Sequence, residues 1–255
     1  MHRFFIHSQD LDTEKGKAFL RENTAAHVKK VLRLREGDEI LVSDGQGSAY
    51  VSVISCTGKD WVEANLKEAL PGSREPKCKV VLAQSLIKGE KMDLVVQKCT
   101  ELGVKKIFPM VTRRTVVNLT PQKASRKIER WSTIAREAAQ QSHRDEVPFI
   151  GELSSLEDIL AEKGEDTLCL FLWEQEEKGS LKEILKKSNS FKEFKELLIF
   201  IGPEGGFAPE EAELAEFHGA YPATLGPRIL RTETAAIAAL TMVLYELDDL
   251  GGYYE

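Results

Sequence analysis

The chain has 255 residues, and its 35 Lys and Arg against 41 Asp and Glu give a formal net charge of −6. With 42% hydrophobic and 30% charged residues, this composition excludes a disordered or collagen-like chain. No apolar run approaches the roughly 20 residues of a membrane helix, and the first ten residues are too short and too polar for a signal peptide. We therefore expect a soluble, cytoplasmic protein without a membrane partner.

Charge is distributed unevenly along the chain. Residues 1–72 carry a net charge of −1, residues 73–150 carry +8, and residues 151–255 carry −13. A positive segment within an acidic protein is typical of polyanion binding. A solvated set of helix faces explains the same charge equally well.

The cysteines and histidines predict neither a metal site nor a disulfide framework. The cysteines are far apart without a C-x-x-C pair, and the histidines show no H-E-x-x-H spacing. We expect small buried thiols in a reducing compartment. The four cysteines are Cys56, Cys78, Cys99 and Cys169.

The first part of the chain predicts a small β domain. Residues 39–43 and 49–55 alternate apolar and polar positions, and Asp44-Gly45-Gln46-Gly47 supplies a turn between them. A third strand is predicted at 61–67, and a small barrel or sandwich is the natural closure of such strands. The Pro- and Gly-containing stretch 71–77 predicts a domain boundary, which gives domains 1–72 and 73–255.

The second part predicts an α/β domain, because apolar strands alternate with helical patterns. Continuous apolar runs are typical of parallel strands covered on both faces, and they occur at 79–86, 105–111, 167–173, 197–202 and 221–225. Helices are predicted at 90–102, from Pro121, from Ser180, from Pro209 to Gly219, and at 233–247. Ligands of open α/β sheets bind beyond the carboxyl ends of the strands. The loops after residues 173, 202 and 225 are therefore the candidate sites.

Two of these loops have unusual sequences. Residues 201–207 (IGPEGGF) form a turn with few side chains, which lets a ligand approach the backbone, although the loop is not a phosphate-binding P-loop. Residues 225–235 (LGPRILRTETA) place Thr232 as a predicted N-cap and Glu233 at the positive end of a helix. Both loops could be purely structural, or Arg231 and the backbone amides could clasp a cofactor or a polyanion.

Together, the two loops resemble the cofactor-binding signature of the 16S rRNA (uracil-N3)-methyltransferase family, in the SPOUT class of S-adenosylmethionine-dependent RNA methyltransferases. The resemblance extends over nearly the whole chain. Further matching positions are Arg3-Phe4-Phe5, His27, Val31-Leu32-Arg33, Gly37-Asp38, Gln97-Lys98, Glu101-Leu102-Gly103, Pro109, Gln141-Ser142, Arg144 and Pro148.

This resemblance implies an α/β fold, with a C-terminal SPOUT domain that contains a trefoil knot and a small N-terminal PUA-like β-barrel. It also implies a homodimer, with S-adenosyl-L-methionine in the knot loops and the active site shared between subunits. The implied partner is 16S rRNA within the 30S subunit, and no metal is implied. The implied cofactor-binding residues are Leu172, Ile201, Gly202, Pro203, Glu204, Gly205, Gly206, Leu225, Gly226, Ile229, Leu230, Arg231, Thr232, Thr234 and Ala235.

The implied reaction methylates N3 of a uridine, which requires loss of the N3 proton and stabilisation of charge on O2 and O4. The catalytic candidates are Arg114, Arg144, Arg231 and Glu233, of which Glu233 is either a base or only a helix anchor. The RNA-binding candidates are Arg3, His27, Arg33, Arg113, Lys123, Arg126, Lys127 and Arg130.

Three alternative functions remain at this point. A SPOUT ribose 2′-O-methyltransferase would share the cofactor loops, and a noncatalytic RNA-binding assembly factor would bind RNA without turnover. A Rossmann-type nucleotide enzyme is disfavoured, because residues 84–89 lack its glycine fingerprint after the first strand.

Overall fold

The structure is a computed structural model that describes residues 1–70, 74–177, 179–191 and 194–252. The chain divides into two compact units. Unit 1 comprises Met1–Glu75 and Ala139–Val147, and unit 2 comprises Pro76–Ala138 and Pro148–Glu255. The predicted domains 1–72 and 73–255 divide the chain once, whereas its contacts place 139–147 with the first unit. Part of the predicted boundary, 71–73, lies outside the described residues.

Unit 1 is built on a mixed six-stranded sheet with the order β1-β4-β5-β6-β3-β2. The strands are β1 (His2–Phe5), β2 (Leu11–Asp12), β3 (Lys17–Arg21), β4 (Glu39–Ser43), β5 (Ala49–Thr57) and β6 (Trp61–Ala69). Only the β1–β4 pair is parallel within this sheet. The three predicted strands are confirmed as β4, β5 and β6, whereas the short strands before residue 22 were not predicted.

A short helical segment interrupts the strands of unit 1. Helix α1 (Glu22–Ala26) continues into a π-helical turn at His27–Val31, and a 3₁₀ turn spans Ser8–Asp10. The core beneath the sheet is apolar and closely packed. Its buried residues include Phe4, Leu20, Val28, Ile40, Ile54 and Val62.

Buried ion pairs attach residues 139–147 to the rest of unit 1. The Nη1 atom of Arg3 donates to Oδ1 of Asp145 at 2.8 Å and to the carbonyl oxygen of His143 at 3.1 Å. Arg144 pairs with the Glu75 carboxylate, whose Oε1 also accepts from the Asp145 amide at 2.9 Å. Removing one partner of a buried pair leaves an uncompensated charge, so these contacts hold the segment in place.

Unit 2 is built on a parallel sheet with the strand order β10-β8-β7-β12-β11-β13, and β9 also pairs with β8. Its strands are β7 (Lys79–Ser85), β8 (Lys106–Val111), β9 (Phe149–Ile150), β10 (Ser154–Ser155), β11 (Thr167–Leu172), β12 (Glu196–Ile201) and β13 (Tyr221–Ala223). The central strands are buried on both faces, as their apolar runs predict. The five predicted strands are confirmed; β9 and β10, only two residues each, were not predicted.

The helices are α2 (Lys91–Leu102), α3 (Pro121–Gln141), α4 (Leu156–Glu162), α5 (Leu181–Phe191), α6 (Pro209–Phe217) and α7 (Thr232–Glu246). All the predicted helices are confirmed, and α4 is an addition. Helix α2 stops at Gly103, which has a left-handed φ of 112° and donates its amide to Thr100. Glycine adopts this conformation without the steric cost of a Cβ, so it ends the helix as predicted.

The register of unit 2 brings four strand ends to the same level. Ile201 pairs with Leu172 on one side and with Gln84 on the other, and Leu172 pairs in turn with Ala223. The loops that follow β12, β11 and β13 therefore leave the sheet side by side. This row fixes the place where a ligand site can form.

Burial raises the pKa values of three of the four thiols. Desolvation raises the pKa of Cys99 to about 12, and burial raises that of Cys169 to about 11. Burial, with help from Asp249, raises the pKa of the partly buried Cys78 to about 11. The expectation of a buried thiol is wrong for Cys56, which is exposed because it lies near the end of β5.

Two further findings concern only the residues described here. No three His, Cys, Asp or Glu side chains are grouped so that they could hold a metal ion. None of the helices combines the length and apolar character that crossing a bilayer requires.

Candidate functional site

A cavity of about 970 Å³ opens at the carboxyl ends of β11, β12 and β13 in unit 2. Its walls are the three loops at 173–177, 202–206 and 224–231, together with the first turn of α7. Leu172, Ile201 and Ala223, which lie in register across the sheet, form part of its lining. The cavity lies where the strand order predicts a ligand site.

The structure brings together most of the predicted cofactor-binding residues. Fourteen of the fifteen line the cavity, and the exception is Thr234. Thr234 is exposed on the first turn of α7, while Thr232 and Ala235 on the same turn line the cavity. Residues two apart on a helix face different directions, which explains why Thr234 is excluded.

Thr232 was predicted to be the N-cap of the last helix, and this prediction is wrong. The N-cap of α7 is Arg231, with an extended backbone, and Thr232 is the first helical residue. Its hydroxyl donates to the Gly202 carbonyl oxygen at 2.6 Å and accepts from Nε2 of Gln84 at 3.0 Å. Thr232 therefore joins the start of α7 to the loop after β12 and to the end of β7.

The glycine loop approaches a neighbouring carboxylate closely. Gly206 has a φ of +68°, and a Cβ atom there would lie 2.0 Å from Oε1 of Glu174. By contrast, a Cβ on Gly205 would make an ordinary contact, 3.5 Å from Cβ of Arg114. The left-handed φ favours glycine at 206, and an added Cβ would require the exposed end of the flexible Glu174 side chain to move aside.

A buried carboxylate and an ammonium group meet at the cavity wall. Glu233 is only 9% exposed, and its Oε2 lies 3.6 Å from Nζ of Lys91. The same ammonium lies 3.9 Å from Oε1 of Glu204, which also accepts from the Lys88 amide at 3.2 Å. Glu233 was predicted as a site residue, whereas Lys91 was not.

Arg114 contacts the glycine loop from a neighbouring segment. Its Nη1 donates to the Gly205 carbonyl oxygen at 3.0 Å, and its side chain is exposed. The turn that carries Arg114 is held by hydroxyl contacts: Ser85 to Thr115 at 2.9 Å, and the Thr112 amide to the Thr115 hydroxyl at 2.9 Å. Arg231 is one of the cavity-lining residues, whereas Arg114 is not and contacts the glycine loop at Gly205.

The structure does not support a site role for Arg144 or an RNA contact for Arg3. Both side chains are enclosed within unit 1, where Arg3 binds Asp145 and Arg144 binds Glu75. A charged side chain is rarely buried unless it is paired. In these two pairs, each arginine is neutralised by a carboxylate of unit 1 and is not exposed to a ligand.

The other predicted RNA-binding residues lie on surfaces. In unit 1, His27 and Arg33 are exposed. In unit 2, Arg113 pairs with Glu210 at 3.2 Å, and Arg130 donates to Asp93 at 2.6 Å, which raises the pKa of Arg130. Three basic residues lie on α3 with at least partial exposure: Lys123, Arg126 and Lys127.

Sequence reasoning missed several lining residues. These are Lys91, Trp173, Glu174, Glu176, Glu177, Ala223, Thr224, Pro227 and Arg228. Most of them lie in or beside the loops after residues 173 and 225. Their position at the ends of strands could therefore have identified them as lining residues. Lys91 lies on α2 and had no such signal.

Two family models match the chain. The RNA methyltransferase domain matches residues 74–244, and the RNA methyltransferase PUA domain matches residues 20–66. The fold is thus an α/β methyltransferase-type domain with an N-terminal PUA domain. Since the first model covers more than half of the chain, the protein belongs to the RNA methyltransferase family.

Individual relatives agree with this assignment. The chain is 35% identical to the ribosomal RNA small subunit methyltransferase E of Bacillus subtilis (strain 168), over 99% of both proteins. Its structure resembles the ribosomal RNA small subunit methyltransferase E from Neisseria gonorrhoeae bound to S-adenosyl methionine, with 29% identity, a TM-score of 0.82 and coverage of 96% and 97%. A methyltransferase from Legionella pneumophila in complex with the cofactor SAM gives 32% identity, a TM-score of 0.83 and coverage of 95% and 96%.

Replacing Thr232 with Val should destabilise unit 2. The change keeps the β-branched shape but removes the hydroxyl, which leaves the Gly202 carbonyl without this donor, so we expect a loss of about 1–3 kcal/mol. The measurement is urea-induced unfolding followed by circular dichroism. Thr234→Val on the same turn is the matched control and should change stability by less than about 0.5 kcal/mol. Equal effects of the two substitutions would contradict the bridging role.

Proposed function

We propose that the protein methylates N3 of a uridine in 16S rRNA of the small ribosomal subunit, with S-adenosyl-L-methionine as methyl donor. The observation that carries this proposal is the cavity of about 970 Å³, walled by the two glycine-containing loops, in a chain whose family is RNA methyltransferases. The names of its relatives support small-subunit rRNA as the substrate class.

The residues present fit the proposed donor. The cavity volume lies within the range of roughly 300–1,000 Å³ that small-molecule sites occupy. Leu172, Ile201 and Ala223 offer an apolar surface, and the 202–206 loop offers backbone groups with few side chains. The 224–231 loop adds aliphatic and arginine side chains. The left-handed φ of Gly206 favours glycine at this point of the cavity wall.

When bound, S-adenosyl-L-methionine supplies an activated methyl group. We assign Glu233 to accept the N3 proton, since its buried carboxylate lies at the cavity wall with Oε2 free of hydrogen bonds among the described residues. Arg114 and Arg231 would stabilise the negative charge that spreads to O2 and O4 of the uracil ring. The N3 atom lies on the pairing edge, so the uridine must be unpaired or flipped out of its stack.

The remaining exposed basic residues would hold phosphates. In unit 1 these are His27 and Arg33; in unit 2 they are Arg113, Lys123, Arg126 and Lys127. Phosphate contacts of this kind position an RNA and make its binding depend on salt. Arg113 and Arg130 are less suited than the others, because Glu210 and Asp93 already engage their guanidinium groups. A homodimer with a shared active site and a trefoil knot in the C-terminal domain belong to the same proposal.

The direct test is to identify the methylated nucleoside. Small ribosomal subunits from cells that lack this gene are incubated with the purified protein and methyl-labelled S-adenosylmethionine, and the rRNA is digested for mass spectrometry. We expect labelled 3-methyluridine. A 2′-O-methyl nucleoside would contradict the N3 assignment and favour a ribose methyltransferase. Tight RNA binding without label would favour a noncatalytic assembly factor.

Gly206→Ala should weaken binding of the methyl donor. The added Cβ disfavours the left-handed φ of +68° and pushes the Glu174 carboxylate aside, so we expect the loop at the cavity wall to shift. The Kd should rise at least about tenfold, measured by calorimetry with S-adenosylmethionine. Gly219→Ala is the matched control, because Gly219 also has a left-handed φ (+78°) but nothing within 4 Å of an added Cβ. Both variants carry a backbone cost of roughly 1–2 kcal/mol, and only the first should lose affinity. Unchanged affinity in Gly206→Ala would contradict the assignment of the cavity.

A further inference from the structure

Lys91 lies at a position that is unfavourable for a cation. It is the first residue of α2, where the helix dipole is positive and acidic side chains are favoured. Its side chain nevertheless lines the cavity, and about a third of its surface is exposed. Helix stability therefore does not explain a lysine at this position.

One neighbour is a buried carboxylate that needs a counter-charge. The side chain of Glu233 is 12% exposed, and its Oε2 has no hydrogen-bond partner in the described part of the chain. Burying a carboxylate is costly unless a cation or hydrogen bonds compensate for its lost hydration. The Lys91 ammonium, 3.6 Å away, is the ion-pair partner that the structure gives Glu233.

Oε2 of Glu233 is enclosed by protein and receives no hydrogen bond from Lys91. At 3.6 Å from Glu233 and 3.9 Å from Glu204, Nζ of Lys91 is beyond hydrogen-bond distance of both carboxylates. Its charge therefore acts on Oε2 through space and does not occupy a lone pair of that oxygen. Arg231, the N-cap of α7, and the positive ends of α2 and α7 add to the same field.

We propose that Lys91 is a positioning residue that supplies the counter-charge for the Glu233 carboxylate at the cavity wall. This inference rests on the proposed function, in which the N3–H bond of uridine breaks and the proton passes to Glu233. The electron pair left on N3 forms the bond to the methyl carbon, and the carbon–sulfur bond electrons return to the donor's sulfur. Lys91 exchanges no proton in this step; it supplies the counter-charge before the proton arrives.

The test compares Lys91→Met, Lys91→Arg and a control, Lys98→Met. Lys98 lies on the same helix and pairs with Glu101 at 2.8 Å, but it does not line the cavity. Methyl transfer is measured in single turnover with saturating small subunits and S-adenosylmethionine. We expect Lys91→Met to lower the rate about 100-fold, within the range of general-base contributions. Lys91→Arg should recover most of that loss because it keeps the charge, and Lys98→Met should match the wild type.

Two readouts do not depend on turnover. The Kd of S-adenosylhomocysteine, measured by calorimetry, should change by less than about threefold in Lys91→Met, because the lysine acts on Glu233 and not on the donor. In the ligand-free protein, Lys91→Met should lower the melting temperature by about 2–4 °C. The same substitution should cost nothing further in a Glu233→Gln background, since the buried charge is then absent.

Several outcomes would overturn the inference. If Lys91→Met transfers methyl groups as fast as Lys98→Met while the wild type is active, Lys91 has no positioning role and the proposed function stands. If donor affinity falls in parallel with the rate, Lys91 binds the donor instead. If the melting temperatures are additive with Glu233→Gln, the two side chains are not coupled. Absence of any methylated product from the wild type would overturn the proposed function, and this inference with it.

Discussion

The site depends on one buried hydroxyl. The Thr232 hydroxyl links the Gly202 carbonyl oxygen to the side-chain amide of Gln84. This contact holds together the first turn of α7, the loop after β12 and the end of β7. Parallel pairing supplies the frame for this contact, because Gln84 and Ile201 are paired across neighbouring strands. Without the hydroxyl, the glycine loop would lose its tie to the helix that carries the candidate base. A small polar contact thus sets the geometry of a large cavity.

The electrostatics of the cavity follow from the same arrangement. Helices α2 and α7 both direct their N-termini toward the site, and each brings one member of the Lys91–Glu233 pair. A carboxylate at the positive end of a helix is favoured, while a lysine there is not, so the pair combines one favourable and one unfavourable placement. Such a local cost is expected where a residue serves chemistry more than stability.

Much of this architecture could be predicted from the sequence. The apolar runs of β7, β11 and β12 and the stop at Gly103 are local signals, and the structure confirms them. The cavity loops could be located because ligands of parallel sheets bind at strand ends, and family resemblance then identified most of the lining residues.

The predictions that failed concern residues whose contacts are with residues distant in sequence. Arg3 was predicted to bind RNA and Arg144 to act in catalysis, yet their partners Asp145 and Glu75 lie 142 and 69 residues away in the chain. No periodic pattern reveals that residues 139–147 return to unit 1. Lys91 likewise enters the cavity only because α2 packs against α7. These contacts are set by the tertiary structure, and composition and periodicity carry no information about them.

The central claim is that the cavity above β11, β12 and β13 holds the methyl donor. The most direct measurement is a crystal structure of the protein with S-adenosylhomocysteine, the product that remains after methyl transfer. We predict that the ligand lies between the 202–206 and 224–231 loops, with Thr232 still bonded to Gly202 and the Glu233 carboxylate facing the bound sulfur. A ligand bound elsewhere on the protein, with this cavity empty, would contradict the account.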